Sequence, residues 1–115
     1  MTYKNFTFEE PWVQIENQSD ESFFSKELRK ETCKGHQLHK IKTETIARRE
    51  DCDDVLFKLL DGTERFAIVH LTYSKESDPQ WPDCDIFNTF GDFLQRKYYP
   101  DIEDRKREDS YGLKT

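Results

Sequence analysis

The sequence predicts an α+β domain in which a small antiparallel sheet, a meander of three to four strands, packs against an N-terminal and a C-terminal helix. The 115 residues fit a single domain, 1–115. A helical pattern is followed by strand-like segments joined by short turns and then by a second helical pattern, an order typical of this fold class. Aromatic residues make up 14% of a chain that is only 34% hydrophobic, which favours a core of few but large side chains.

Residues 1–18 form an aromatic N-terminal arm that we expect to pack across the domain. Phe6 and Phe8 alternate with polar residues, which allows a short strand. Pro11 restricts such a strand to the edge of the sheet, because proline cannot donate a backbone hydrogen bond. The arm would then partly cover one face of the sheet, and both helices would cover the other.

The first helix is predicted from about residue 20 to residue 33. Ser19 can accept a backbone hydrogen bond as its N-cap. Phe24 and Leu28 are four residues apart and therefore share one face, which predicts the buried side. Gly35 follows the last helical residues, as is common at a helix C-terminus.

Three strands are predicted at residues 40–49, 55–60 and 65–73, from alternating or continuously apolar residues rich in β-branched side chains. Asp61-Gly62 is a strong turn signal, because glycine accepts the positive φ that tight hairpins require. A short fourth strand fits residues 83–87. These short connections predict antiparallel pairing.

Residues 74–85 are predicted to form a loop that holds Trp81 between two prolines. A second helix should begin after Asn88 or Thr89, since either side chain can act as the N-cap. Pro100 is expected to end that helix. Residues 100–115 would then form a charged tail that frays.

Opposite charges are concentrated in different parts of the chain. It carries 18 Lys and Arg against 24 Asp and Glu, a formal net charge of −6. Residues 25–49 contain eight basic and three acidic residues, whereas residues 50–104 contain five basic and fourteen acidic ones. This separation favours a charged protein partner or a homo-oligomer. An isoelectric point near 5.1 argues against a nucleic-acid partner.

Cysteine content and hydropathy predict the surroundings in which the protein works. Three cysteines, an odd number without a C-x-x-C pair, are typical of free thiols in a reducing compartment, so we expect a cytoplasmic protein. No apolar run approaches the roughly 20 residues that a membrane span needs. No membrane association is therefore expected.

The sequence contains no strong catalytic or cofactor motif, so neither a cofactor nor a catalytic residue is predicted. Cys33, His36 and His39 follow each other at intervals of three and offer the sulfur and nitrogen ligands that zinc accepts. Gly35 should end the helix between them and separate their side chains. No metal site is predicted here.

The tripeptide Asp-Cys-Asp occurs twice, at residues 51–53 and 83–85. If both loops lie at the same edge of the sheet, four carboxylates and two thiols come together. Flanking carboxylates raise the pKa of a thiol, which makes either cysteine a poor nucleophile. Two acidic turns between strands are the simpler interpretation.

His70 is the most informative single residue, because it lies in the predominantly apolar third strand. Such a histidine is either a buried core residue or a general base, and we expect it to be buried. In the alternative, His70 forms a ligand pocket with Arg48 and Trp81, to which Asp53 or Asp54 adds a carboxylate. Salt bridges to these carboxylates are the simpler interpretation of Arg48.

Four strings of residues are similar to those of a group of small uncharacterised bacterial proteins. They are Ala-Arg-Arg-x-Asp-x-Asp-Asp-Val-Leu-Phe at 47–57, Val-His-Leu-Thr at 69–72, a Trp-Pro loop at 79–82 and a final aromatic helix at 87–93. The resemblance implies no activity. It implies that five residues form one structural or functional cluster: Asp53, Asp54, His70, Thr72 and Trp81.

The sequence supports two functions of different classes. The first is an acidic accessory or protein-binding module that binds a partner protein or itself, as immunity-type inhibitors of basic toxins do. The second is a small ligand-binding protein or hydrolase with a pocket around His70. The sequence favours the module over an enzyme. The candidate binding residues are Arg48, Asp53, Asp54, His70, Thr72 and Trp81.

Overall fold

The computed structural model describes the backbone of residues 3–112 and the side chains of residues 3–107. The strands are β1 (Trp12–Gln14), β2 (Thr43–Arg49), β3 (Asp54–Leu59), β4 (Phe66–His70) and β5 (Cys84–Phe87). The helices are α1 (Gln18–Glu31), α2 (Phe90–Phe93) and α3 (Tyr99–Gly112), with a short 3₁₀ turn at Tyr3–Asn5. A π-helical segment, Leu94–Tyr98, joins α2 to α3, and we call these three segments together the C-terminal helix.

The strands lie in the sheet in the order β1-β2-β3-β4-β5, and each neighbouring pair is antiparallel. The α+β class and the antiparallel meander are thus confirmed, but the described residues contain five strands rather than three to four. The additional strand is β1, which follows Pro11 and pairs with the end of β2 at the sheet edge. The arm was expected to allow a short edge strand at Phe6 and Phe8, but the edge strand instead follows Pro11, where three residues are too few to show an alternation.

The sheet is the middle of three layers, and the prediction that both helices cover the same face is wrong. Helix α1 packs over an aliphatic core that includes Leu28, Val55 and Val69. The C-terminal helix and the N-terminal arm cover the other face, where Phe66 and Phe93 belong to an aromatic core. Four of the five residues of β4 are buried, so both faces of the sheet are apolar at its centre and each needs its own covering layer.

Both long helical regions begin at a capping side chain. The carbonyl oxygen of the Asn17 side chain accepts a hydrogen bond from the backbone N–H of Asp20 at 2.7 Å, so α1 begins before the predicted cap Ser19. Thr89 is confirmed as the second cap, since its hydroxyl accepts from the backbone N–H of Asp92 at 3.0 Å. Each cap satisfies one backbone donor that would otherwise lack a partner.

The C-terminal helix continues past Pro100, so the expected helix end at this residue is wrong. The backbone N–H of Tyr99 bonds to the carbonyl of Leu94, five residues earlier, in a π turn. This wider turn comes directly before the proline and gives room to a ring that would clash with the preceding turn of a regular helix. The expected frayed tail is instead helical as far as Gly112. Residues 113–115 of that predicted tail lie outside the described residues.

The N-terminal arm packs across the domain, as predicted. The backbone N–H of Glu9 donates to the hydroxyl of Tyr98 at 2.8 Å, and the indole N–H of Trp12 donates to Asp101 at 3.1 Å. Phe6 lies edge-to-face against Phe90 and Tyr98, with ring centroids 5.3 and 5.1 Å apart. These contacts bind the two ends of the described chain together on the aromatic side of the sheet.

Candidate functional site

The two Asp-Cys-Asp tripeptides lie at the same end of the sheet: the first forms the turn before β3, and the second is not a turn between strands but begins β5. The backbone N–H of His70 donates to the carbonyl of Asp83 at 2.9 Å. The backbone N–H of Leu71 donates to the carbonyl of Asp53 at 3.1 Å. Both tripeptides therefore bond to the end of β4, one from the side of β3 and the other from the side of β5. We call this region the acidic end of the sheet, and it comprises residues 50–54, 70–73 and 81–85.

His70 lies on the surface, so the prediction of a buried ring is wrong. Its side chain is 56% exposed, and Nδ1 lies 2.9 Å from Oδ1 of Asp54, which is directly opposite in β3. Ile68, two residues earlier on the same face, is buried in the aromatic core. His70 is the last residue of β4 and lies beyond that covering layer. The apolar neighbours of His70 in β4 predicted that its ring is buried. The ring is exposed because the layer that covers Ile68 does not extend to the end of the strand.

His70, Asp54 and Trp81 line one cleft of about 370 Å³, which we call the Trp81 cleft. Asp83 and Asp85 add two further carboxylates to its wall. Lys97 of the C-terminal helix also borders it, but its ammonium group pairs with Asp101 at 3.2 Å. The cleft therefore combines one aromatic wall with an excess of negative charge.

The segment that carries Trp81 is held in place by a buried histidine. The ring of His36 accepts a hydrogen bond at Nδ1 from the backbone N–H of Leu38, so its Nε2 carries the proton and donates to the carbonyl of Pro82 at 2.8 Å. The backbone N–H of Trp81 bonds to the carbonyl of Asp78 at 3.0 Å. Although its loop is fixed in this way, Trp81 is 48% exposed.

Cys84 borders the Trp81 cleft but is not suited to act as a nucleophile. Burial, followed by the charges of Asp83 and Asp85, raises the pKa of its thiol to about 11. The sulfur also accepts a hydrogen bond from the side-chain amide of Gln37 at 3.0 Å. Cys84 is therefore a thiol at neutral pH, and all three cysteines are free in the structure.

Arg48 and Asp53 lie on the opposite face of the sheet from the Trp81 cleft. Arg48 pairs in register with Val55, whose side chain belongs to the aliphatic core under α1. Together with Tyr73, both residues line a second cleft of about 450 Å³. Among the described side chains, Arg48 forms no ion pair with Asp53 or Asp54. The predicted pocket of His70, Arg48 and Trp81 is therefore not formed, because alternate strand residues point to opposite faces.

Thr72 lines neither cleft and is bound by Glu31, a residue that the sequence analysis missed. One carboxylate oxygen of Glu31 accepts from the backbone N–H and the hydroxyl of Thr72, at 2.7 and 3.0 Å. The other accepts from the backbone N–H of Tyr73 at 2.8 Å. Tyr73 has a φ of +56°, a left-handed conformation that non-glycine residues rarely adopt. Glu31 thus holds the strained turn that follows β4.

Glu31 is fully buried, with 0% of its surface exposed. Burial, followed by the adjacent Glu27 carboxyl, raises the pKa of Glu31 to about 7. The helical spacing contained a signal for this residue, because Glu31 follows Phe24 and Leu28 at i+7 and i+3 and so lies on the same buried face. A carboxylate on an apolar helical face predicts a buried polar anchor.

The side chains of His36 and His39 each bind backbone groups. His36 bonds to Leu38 and Pro82, as described above, and Nδ1 of His39 lies 2.9 Å from the carbonyl of Thr32. Within residues 3–107, no group of three or more His, Cys, Asp or Glu side chains is arranged to hold a metal ion.

The described helices include none that is both long enough and apolar enough to cross a membrane. No protein-family model, curated protein or solved structure matches this chain.

Proposed function

We propose that this chain is a protein-binding module whose Trp81 cleft receives a basic side chain of a partner protein. The observation that carries the proposal is a half-exposed indole on a fixed loop, facing a cleft with the carboxylates of Asp54, Asp83 and Asp85. An aromatic face attracts a cation, and tryptophan does so most strongly. Carboxylates next to that face complete a site for lysine or arginine.

The rigidity of the loop supports a binding role. An exposed tryptophan forgoes much of the stabilisation that burial of its large apolar surface would bring. Here the hydrogen bond between His36 and Pro82 keeps the loop in the exposed position. A side chain fixed in advance loses little conformational entropy on binding, and rigid aromatic anchors of this kind dominate many protein interfaces.

The overall charge supports the same partner chemistry. A chain with a net charge of −6 attracts basic surfaces from a distance, and its acidic end concentrates that attraction near Trp81. The partner is another protein with a basic segment, or the basic part of a second copy of this chain. Sedimentation velocity at increasing protein concentration distinguishes the two, because only self-association raises the mean mass of the isolated chain.

One observation favours the second candidate function, a small ligand-binding protein or hydrolase. Asp54 lies 2.9 Å from the ring of His70, an arrangement in which a carboxylate orients a general base. The raised thiol pKa of Cys84 leaves this pair without an activated nucleophile in the same cleft. We therefore place ligand binding or hydrolysis second.

Titration calorimetry with a hexalysine peptide tests the proposal. We expect saturable binding that weakens about tenfold in Trp81→Ala, as for an aromatic anchor at an interface, and less in Trp81→Phe, which keeps a weaker aromatic face. Asp85→Asn should also weaken binding. Glu64→Gln removes one negative charge far from the cleft and serves as the matched control.

Equal affinity of the wild-type and Trp81→Ala proteins for hexalysine would contradict the proposal. The half-exposed indole contributes little to the core, so the thermal midpoint should be nearly the same in both. Tighter binding of free spermine than of the peptide would favour the ligand-binding alternative. Loss of ester hydrolysis in His70→Ala would favour the hydrolase.

A further inference from the structure

The opposite end of the sheet carries a third charged cleft, between α1 and the start of β2. Its volume is about 450 Å³. Two basic residues of α1 and two from the segment before β2 line this basic groove: Lys26, Arg29, Lys40 and Lys42. The groove thus gathers half of the eight basic residues found in residues 25–49.

None of these four basic side chains forms an ion pair with a carboxylate among residues 3–107. The groove also contains the carboxylate of Glu21, but one of its oxygens already accepts from the hydroxyl of Ser25 and the backbone N–H of Thr45, at 2.7 and 3.1 Å. In an acidic protein, an open groove that collects unpaired cations is a place where an external anion is attracted.

The backbone conformation of Lys40 supports a binding function of the basic groove. Its φ is +63°, in the left-handed region where glycine is normally preferred. Strained conformations of non-glycine residues are common where a side chain serves a binding site. Glycine would fit this turn with less strain but would remove one of the four positive charges.

Hydroxyl and apolar groups complete the lining. Ser22 and Thr43 offer hydrogen-bond donors, and Ile41 and Leu60 offer apolar surface. Leu60 is 49% exposed, which leaves its side chain open for contact. Amines, a guanidinium and hydroxyls together match the oxygens of a phosphate group, since arginine and lysine both bind phosphate well.

We propose that the basic groove binds a small phosphate ester, with the phosphate at the four cations and an apolar group on Ile41 and Leu60. The groove volume is within the range of ordinary small-molecule sites. The site is separate from the Trp81 cleft, and its proposed ligand is a small molecule rather than a protein segment.

Titration calorimetry at low ionic strength with inorganic phosphate and with phenyl phosphate tests this proposal. We expect saturable binding of one ligand per chain, and tighter binding of phenyl phosphate if the apolar wall takes part. Arg29→Gln and Lys42→Gln should each weaken phenyl phosphate binding about tenfold, as expected for loss of one charge-assisted contact. Lys75→Gln makes the same charge change at an exposed loop position and should leave the affinity unchanged.

The variant Lys40→Gly distinguishes a loss of ligand affinity from a loss of stability. The substitution relieves the left-handed strain, so the thermal midpoint should be unchanged or raised, while the affinity for phenyl phosphate should fall about as much as in the other two variants. A merely structural role of Lys40 would leave the affinity intact.

Two results would overturn the proposal. In the first, Arg29→Gln, Lys42→Gln and Lys75→Gln bind phenyl phosphate equally well, which indicates nonspecific attraction to net charge. In the second, a hexaglutamate peptide binds the groove more tightly than either phosphate compound, which indicates that it receives an acidic protein segment.

Discussion

The two ends of the sheet differ in charge and in the way their clefts are built. At the acidic end, the turn before β3 and the starts of β3 and β5 carry the carboxylates, and buried polar residues fix the neighbouring backbone. His36 holds the Trp81 loop and Glu31 holds the turn at Thr72. At the basic end, long lysine and arginine side chains line a groove beside a helix. One end therefore presents a fixed aromatic wall, and the other presents charges on adaptable side chains.

This difference shows how the fold turns a linear separation of charge into a spatial one. The basic segment supplies the outer face of α1 and the entry to β2. The acidic segment supplies the loops at the far end of β2, β3 and β4. Because the strands are antiparallel and the connections short, the four cations of the basic groove and the carboxylates of the two Asp-Cys-Asp tripeptides lie at opposite ends of the same sheet. The resulting dipole favours a cation at one end and an anion at the other.

The largest expected effect comes from removing the anchor of the acidic end. Glu31→Ala leaves the backbone N–H groups of Thr72 and Tyr73 without their buried acceptor. We expect the free energy of unfolding to fall by about 3 kcal/mol, the range for loss of a buried hydrogen-bonded group. Urea denaturation measures this loss.

A control variant and a hydrogen-exchange measurement test whether this loss of stability is local to the acidic end. Glu103→Ala, an exposed change on α3, should alter the stability little. Hydrogen exchange in Glu31→Ala should accelerate at Thr72 and Tyr73 and remain unchanged at Thr43, at the basic end. A loss below about 1 kcal/mol, or equal acceleration at both ends, would show that Glu31 is not a local anchor.

A smaller effect is expected from pH, because the raised pKa of Glu31 couples protonation to folding. Its ordinary pKa of 4.5 is raised to about 7 in the folded protein, so between these values the folded state binds more protons than the unfolded state. The contribution of Glu31 to stability is therefore complete below about pH 4.5 and is lost as the pH rises through about 7.

The difference in unfolding free energy between the wild type and Glu31→Gln isolates this contribution from those of other groups. The glutamine side chain does not titrate, so the stability of the wild type relative to the variant should decline from pH 4.5 to pH 7. A difference that is constant over this range, or that grows with pH, would contradict the raised pKa.

The smallest expected effect is a difference in stability between alanine variants of two glycines, one at each end of the sheet. Gly62, in the turn beside the basic end, has a φ of +84° and open space around the position of a Cβ atom. Gly62→Ala should cost about 1 kcal/mol from backbone conformation alone. Gly35 has a φ of +98°, and a Cβ atom there would lie 3.2 Å from Cβ of Pro79, in the Trp81 loop. Gly35→Ala should therefore cost more.

Thermal denaturation of both glycine variants measures the difference, and the fluorescence of Trp81 reports on its loop. Only Gly35→Ala should change that fluorescence, because Trp12 is buried in the aromatic core and lies within 4 Å of neither glycine's Cβ position. Equal losses of stability with unchanged fluorescence would mean that the contact with Pro79 does not position the loop.

The parts of the fold that local chemistry determines could be predicted from the sequence. The Thr89 cap and the positive φ of Gly62 depend on a few neighbouring residues, and both agree with the structure. The extension of the helix past Pro100 could not be predicted, because it requires a π turn whose stability comes from packing of the aromatic core. The edge strand β1 likewise depends on a partner far away in sequence.

The candidate site was predicted only in part, for a similar reason. Asp54, His70 and Trp81 do share a cleft, since Asp54 and His70 are opposite each other across two neighbouring strands. Arg48 was assigned to the same pocket because of its charge, but strand alternation places it on the other face. The exposure of His70 depends on where the covering helix layer ends, which the strand pattern does not contain.

An NMR titration of two ¹⁵N-labelled samples, one with hexalysine and the other with phenyl phosphate, tests most directly whether the two ends of the sheet bind ligands of opposite charge. We expect hexalysine to shift the Trp81 indole N–H and the backbone amides of His70 and Asp85, and to leave the amides of Ser22 and Thr43 unchanged. Phenyl phosphate should shift Ser22 and Thr43 alone. A Trp81 indole signal that hexalysine does not move, or one set of amides that responds to both ligands, would contradict the assignment of opposite partners to the two ends of the sheet.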